Sequence, residues 1–168
     1  MEILYRADCS PDVLNATQAI LSRCRLRPQS ALSKIERSTL RRAKIKKSKI
    51  SYLEANELSS LTNLSLDRSR ELVGLYKFQT LRSVGVAGSE DLWQLGYNLP
   101  QDLVGEHPYA MYFAYSSLVG EFVDRCVEDV FRCAVAQVET KNLPQKSKNW
   151  WAWKPYRGNM RFPNNRII

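Results

Sequence analysis

Apolar side chains recur every three to four residues along most of this chain, the period of helices with one buried face. The first stretch follows Ser10, Pro11 and Asp12: a capping hydroxyl, a ring suited to the first helical position and a favourable acid. Val13, Leu14, Thr17, Ile20, Leu21 and Cys24 mark its face, and the helix is expected to end before Pro28. A second helix is expected to begin near Ser30. Its stripe of Leu32, Ile35, Thr39 and Ala43 is weak, and Lys34, Arg37, Arg41, Arg42 and Lys44 crowd its remaining surface. The run from Lys44 to Lys49 is expected to fray into a linker.

From Ser51 onward, short helical pieces alternate with tight turns. Glu54–Leu61 and Leu66–Tyr76 flank a break at 62–65, and Thr80–Val84 and Ser89–Leu95 flank a break at 85–88. Gly96, free to take a positive φ, ends the last of these. Leu99 to Gly105 reads as a further short helical turn. His107 and Pro108 open a helix that is apolar almost all round and therefore central to the core. Gly120 closes it. The last long helix spans about Phe122 to Glu139. Val123, Val127, Val130, Phe131, Ala134 and Val138 form its inner face. Arg125, Glu128, Asp129 and Arg132 form the other, with Glu128–Arg132 a favourable i,i+4 pair worth ~0.3 kcal/mol. Residues 2–7 read as a short strand or a leader, and no strand pattern follows. The fold class is all-α, a basic helical arm and a mostly irregular basic tail flanking a helical core.

Charge sharpens this division. Residues 23–49 carry eleven Lys/Arg and one acid, Glu36, and residues 140–168 carry seven bases and no acid. The intervening residues 50–139 hold six bases against thirteen acids, although the whole chain is +8. Four segments follow: an N-terminal helix at 1–28, a basic helix and linker at 29–50, a core at 51–140 and a Trp-rich basic tail at 141–168. Segmental basicity of this kind suits a polyanion, nucleic acid first. The expected phosphate contacts are Arg37, Arg41, Arg42, Lys44, Lys46, Lys47 and Lys49 in the arm, with Arg157 and Arg161 in the tail.

An apolar content of 44% in 168 residues supports one compact domain with extensions and argues against global disorder. No apolar run approaches the ~20 residues that cross a bilayer, and the N-terminus has no secretory pattern. Cys126 and Cys133 would lie about 10 Å apart on a helix, too far for a disulfide. No CxxC or Cys/His cluster suggests zinc. These features point to reduced thiols in a cytoplasmic protein with no membrane partner.

The stretch from Leu81 through Gly85, Leu92, Gly96, Gly105 and Tyr112 suggests paired helix–hairpin–helix units. Asp124, Arg125 and Cys126 followed by Phe131, Arg132, Cys133, Ala134 and Val135, then Trp150, Trp151, Trp153 and Lys154, strengthen the pattern. The chain over about 81–154 resembles the bacterial pathogenicity-locus family, also described as mitomycin-resistance-like. Residues 58–80 are similar to the C-terminal helix–hairpin–helix of the competence regulator TfoX. These resemblances imply a tandem helix–hairpin–helix core and, by analogy, DNA contact through the hairpin backbone at Gly85, Val86, Ala87 and Gly88. A working hairpin needs bare amides on glycine. The first unit, Thr62 to Ser65, has none, Ala87 interrupts the second, and the acidic core repels phosphate. A structural turn is therefore favoured there.

No catalytic or metal-binding residue is assigned, and no cofactor is expected. His107 is the lone histidine and reads as a cap or surface residue. Cys126 beside Asp124 reads as a packed thiol near Val130. The three indoles admit base stacking or docking on the core, and docking is favoured. Trp151 would then be structural, and residues 155–168 dispensable for stability. The expectation is a non-enzymatic protein that binds DNA or RNA through arm and tail. The alternative is an interaction adaptor whose arm docks on an acidic protein.

Overall fold

The computed structural model describes residues 3–4 and 9–158 and is all-helical, with no strand among them. Its α-helices are α1 (Pro11–Leu21), α2 (Lys34–Arg42), α3 (Ala55–Thr62), α4 (Leu66–Phe78), α5 (Gly85–Gln94), α6 (Pro108–Val119) and α7 (Cys126–Glu139). Short 3-10 helices cover Lys47–Tyr52, Pro100–Leu103, Gln145–Lys148 and Trp150–Tyr156. Residues 2 and 5–7 of the expected strand or leader lie outside the described residues.

Caps set most helix starts. Ser10 accepts from the Val13 amide at α1, and Ser65 accepts from Arg68 at α4. Ser33, rather than Ser30, caps α2 through a complete box with Glu36, which satisfies two orphan donors reciprocally. Pro108 begins α6, and Gly120 (φ 85°) ends it.

Two apolar clusters share α4. The larger joins α1, α5, α6 and α7 around Ile20, Phe78, Leu92, Tyr112, Phe113 and Phe131. Helix α6 is buried from Pro108 to Ser117, as its uniformly apolar surface requires. The smaller cluster unites Leu32, Leu40, Ile50, Leu58, Leu72 and Val73. It overturns the expected linker at 44–49: Lys44 turns the chain at φ 57°, and Lys47–Tyr52 winds into a helix that buries Ile50 completely. A buried isoleucine outweighs the local repulsion among lysines that stay in water.

Two further expectations are corrected. The turn after α4 is Gln79–Val84, with Ser83 at φ 71°, so Gly85, Val86, Ala87 and Gly88 form the first turn of α5 rather than a hairpin loop. Helix α7 has no solvated polar face: Glu128, Asp129 and Arg132 are at most 1% exposed. The segment after α7 folds back across that face and covers them.

Candidate nucleic-acid interface

The sequence concentrates bases between Arg23 and Lys49, and the fold sorts them into two groups. Arg23, Arg25 and Arg27 lie just after α1 and rest against the surface of the core. Arg23 donates to Glu106 at 2.7 Å and lies over the Tyr97 ring. Arg25 donates to the Gly96 carbonyl at 2.6 Å and covers Trp93, and Arg27 pairs with Glu90 at 2.7 Å. Their i,i+2 spacing was the available signal, because an extended segment presents alternate residues to one side. Arg23 and Arg27 thus offset two acids of the core, and Arg25 is held by neutral oxygens.

The second group faces solvent. Arg37, Arg41, Arg42, Lys44, Lys46, Lys47 and Lys49 are all exposed, and none forms an ion pair among the described residues. Arg37 donates to the Leu32 carbonyl at 2.9 Å, which ties its guanidinium to the chain just before α2. Arg37, Arg41, Lys46 and Lys47 line one open groove with Leu32, Leu40 and Ile45. The Lys44 turn creates this grouping by folding the lysines of 46–47 back beside the α2 arginines. Arg42 lies across α2, in a second groove with Ile35, Thr39 and Leu61. Glu36, the one acid of the segment, is held by Arg68 at 2.6 Å, which keeps its carboxyl below the usual range.

The tail behaves differently. Arg157 grips buried Asp129 with two bonds, 2.9 Å from Nε and 2.5 Å from Nη2, so its charge is spent inside the molecule. Arg161 lies outside the described residues. Beside this clamp, Glu128 Oε1 accepts from Arg132 at 3.0 and 2.7 Å and from the Gly158 amide at 2.7 Å. Arg125 approaches the other Glu128 oxygen at 2.7 Å and lies over Tyr109 and Tyr112. Burial lowers the pKa of Arg132 against the pull of Glu128. Periodicity did not reveal this network, because its covering partner lies 28 residues downstream of Asp129.

The α4–α5 loop is engaged on several sides. Gln137 accepts from the Arg82 amide and donates to the Arg82 carbonyl, at 3.0 and 2.9 Å. Ser83 Oγ donates to the Lys148 carbonyl and accepts from the Trp150 amide. Gly85, Val86 and Ala87 are exposed. Of the indoles, Trp153 packs on Cys133, Ala136 and Leu143 and donates to the Ser147 carbonyl at 2.9 Å, whereas Trp151 is 55% exposed. Docking therefore runs through Trp153 and not Trp151.

Cys126 is half-buried at the start of α7, and its amide donates to Asp124 at 2.7 Å. Burial, followed by Asp124, raises the Cys126 thiol, opposite to the shift that activates a nucleophile. Burial pushes the Cys133 thiol up to about 11. No group of acidic, cysteine or histidine side chains among the described residues is arranged to hold a metal ion. None of the described helices is long and apolar enough to cross a membrane.

The fold thus defines a class: an all-helical module clasped by its own C-terminal segment, with a basic lobe built on α2. Residues 71–159 match the model of the pathogenicity-locus family (Cdd1), and the chain belongs to that family. The match begins within α4 and runs to the end of the C-terminal clasp, leaving the basic lobe outside it. No curated protein and no solved structure matches the chain.

Proposed function

We propose that this protein binds nucleic acid without catalysing a reaction, through the basic groove of its α2 lobe, with the remaining helices as scaffold. The observation that supports the reading is the convergence of Arg37, Arg41, Lys46 and Lys47 on one groove whose lining contains no acid. Bases brought together by folding neutralise adjacent phosphates and release their counterions, the dominant source of non-specific affinity. Arg42, Lys44 and Lys49 extend the positive surface beyond the rim. Arg157 serves as a clamp in this reading, and the α4–α5 loop as a structural turn. The four thiols, none of them in a disulfide, suit a cytoplasmic setting.

Anisotropy titrations of labelled oligonucleotides across a salt series test the proposal. Four groove contacts give a log K against log salt slope of about −3 to −4. Replacing Arg37, Arg41, Lys46 and Lys47 by Gln is expected to remove most affinity with an unchanged melting temperature, since all four are exposed. Undiminished binding by that folded variant sinks the idea. A second reading, an adaptor docking on an acidic protein, draws support from the apolar groove floor of Leu32, Leu40 and Ile45. It predicts a co-purifying partner that survives nuclease treatment.

A further inference from the structure

The 3-10 helix Lys47–Tyr52 has three residues per turn, so positions three apart share an edge. One edge carries Ile50 and Leu53 into the small core. A second edge carries Lys46, Lys49 and Tyr52 into solvent. Tyr52 is 78% exposed, more than any other aromatic side chain among the described residues. The Lys49 ammonium lies 5.2 Å from its ring centroid. Lys46, at the start of the same edge, also lines the basic groove with Lys47, Arg37 and Arg41. The groove rim therefore continues into an exposed ring flanked by an ammonium.

A large exposed aromatic ring loses nothing structural when it is removed, yet it offers a flat face to a planar partner. Bases inside a duplex are stacked on one another and present no face to it. An unpaired base does, and the adjacent ammonium then meets that nucleotide's phosphate. We infer that the strand this lobe takes is single-stranded nucleic acid, with one base stacked on Tyr52 and neighbouring phosphates held by Lys46, Lys49 and the groove bases. The inference rests on the nucleic-acid reading above and narrows its ligand class.

Anisotropy with a labelled oligothymidylate and with a duplex of equal length, on the full chain, tests it. Wild type is expected to prefer the single strand. Tyr52→Ala is expected to weaken single-strand binding by about tenfold, with duplex affinity and melting temperature unchanged. Tyr52→Phe keeps the ring and is expected to retain single-strand affinity. If Tyr52→Ala binds the single strand as wild type does, or loses equally on both probes, the stacking role is overturned and the groove reading stands. If wild type binds neither probe, both readings fall.

Discussion

Asp91 shows how the fold sets the energy of a single residue. It is 8% exposed, and burial raises its carboxyl above the ordinary value of 3.8, with Tyr115 and Arg27 offsetting part of the shift. Its influence is mutual: burial and then Asp91 push the Tyr115 phenol up to about 12. An acid whose pKa is raised by folding binds its proton more tightly in the native state. Stability therefore falls as pH rises from 3.8 through the folded value, and the loss is complete above it. Asp91→Asn can still accept from Tyr115 and never ionises. It is expected to raise the melting temperature at pH 7 (a pH well above the carboxylate range) but not in strong acid. An equal gain at both extremes would mean packing, not ionisation, is responsible.

Two glycines make a contrasting pair at the same scale. A Cβ on Gly74 would sit 2.6 Å from both the Asn98 carbonyl and the Trp93 ring, because α4 meets the end of α5 and the segment after it there. Gly85 has φ 58°, but its Cβ would meet nothing within 4 Å. Gly74→Ala is expected to cost ~2 kcal/mol or more through overpacking. Gly85→Ala is expected to cost only about 1 kcal/mol of backbone strain. Urea unfolding of the two variants checks the order.

At the scale of elements, the segment after α7 works as a clasp. Trp153 fills the space over Cys133, Ala136 and Leu143, while Trp150 and Trp151 meet edge to face nearer the surface. Trp153→Ala is expected to cost about 3–5 kcal/mol, the range for a buried aromatic. Trp151→Ala is expected to stay within about 0.5 kcal/mol. Equal losses in thermal melts would contradict the division of labour. The α4–α5 loop depends on this clasp, since Ser83 holds both Lys148 and Trp150. Loss of the clasp should therefore loosen the loop as well.

Across the whole molecule, charge is divided between structure and surface. Arg23, Arg27, Arg68 and Arg157 are paired with acids, whereas the exposed bases of the α2 lobe have no ion-pair partner among the described residues, nor do Arg82, Lys141, Lys146 and Lys154. The ion network under the clasp makes residues 155–158 structural. Ending the chain at Lys154 would strip Arg157 from Asp129 and the Gly158 amide from Glu128, both fully buried. An uncompensated buried carboxylate costs about 3 kcal/mol or more. The truncated protein is expected to melt well below the full chain. An unchanged melting temperature would show that water replaces the lost partners.

Local sequence determined the helical character, the cap at Ser10, the central place of α6 and the concentration of bases before residue 50. Each depends on neighbours within one or two turns, where period and capping chemistry act. Tertiary structure alone decided which charges remain available. Arg37, Arg41, Lys46 and Lys47 meet because Lys44 reverses the chain and Ile50 anchors it. Arg157 is lost to phosphate because Asp129 waits beneath the fold-back. The polar face of α7 was legible as a helix face but not as a buried one. A carboxylate is tolerated out of water only when its counterion arrives: Glu128 finds Arg132 one turn along α7, but Asp129 depends on Arg157 at the far end of the described chain.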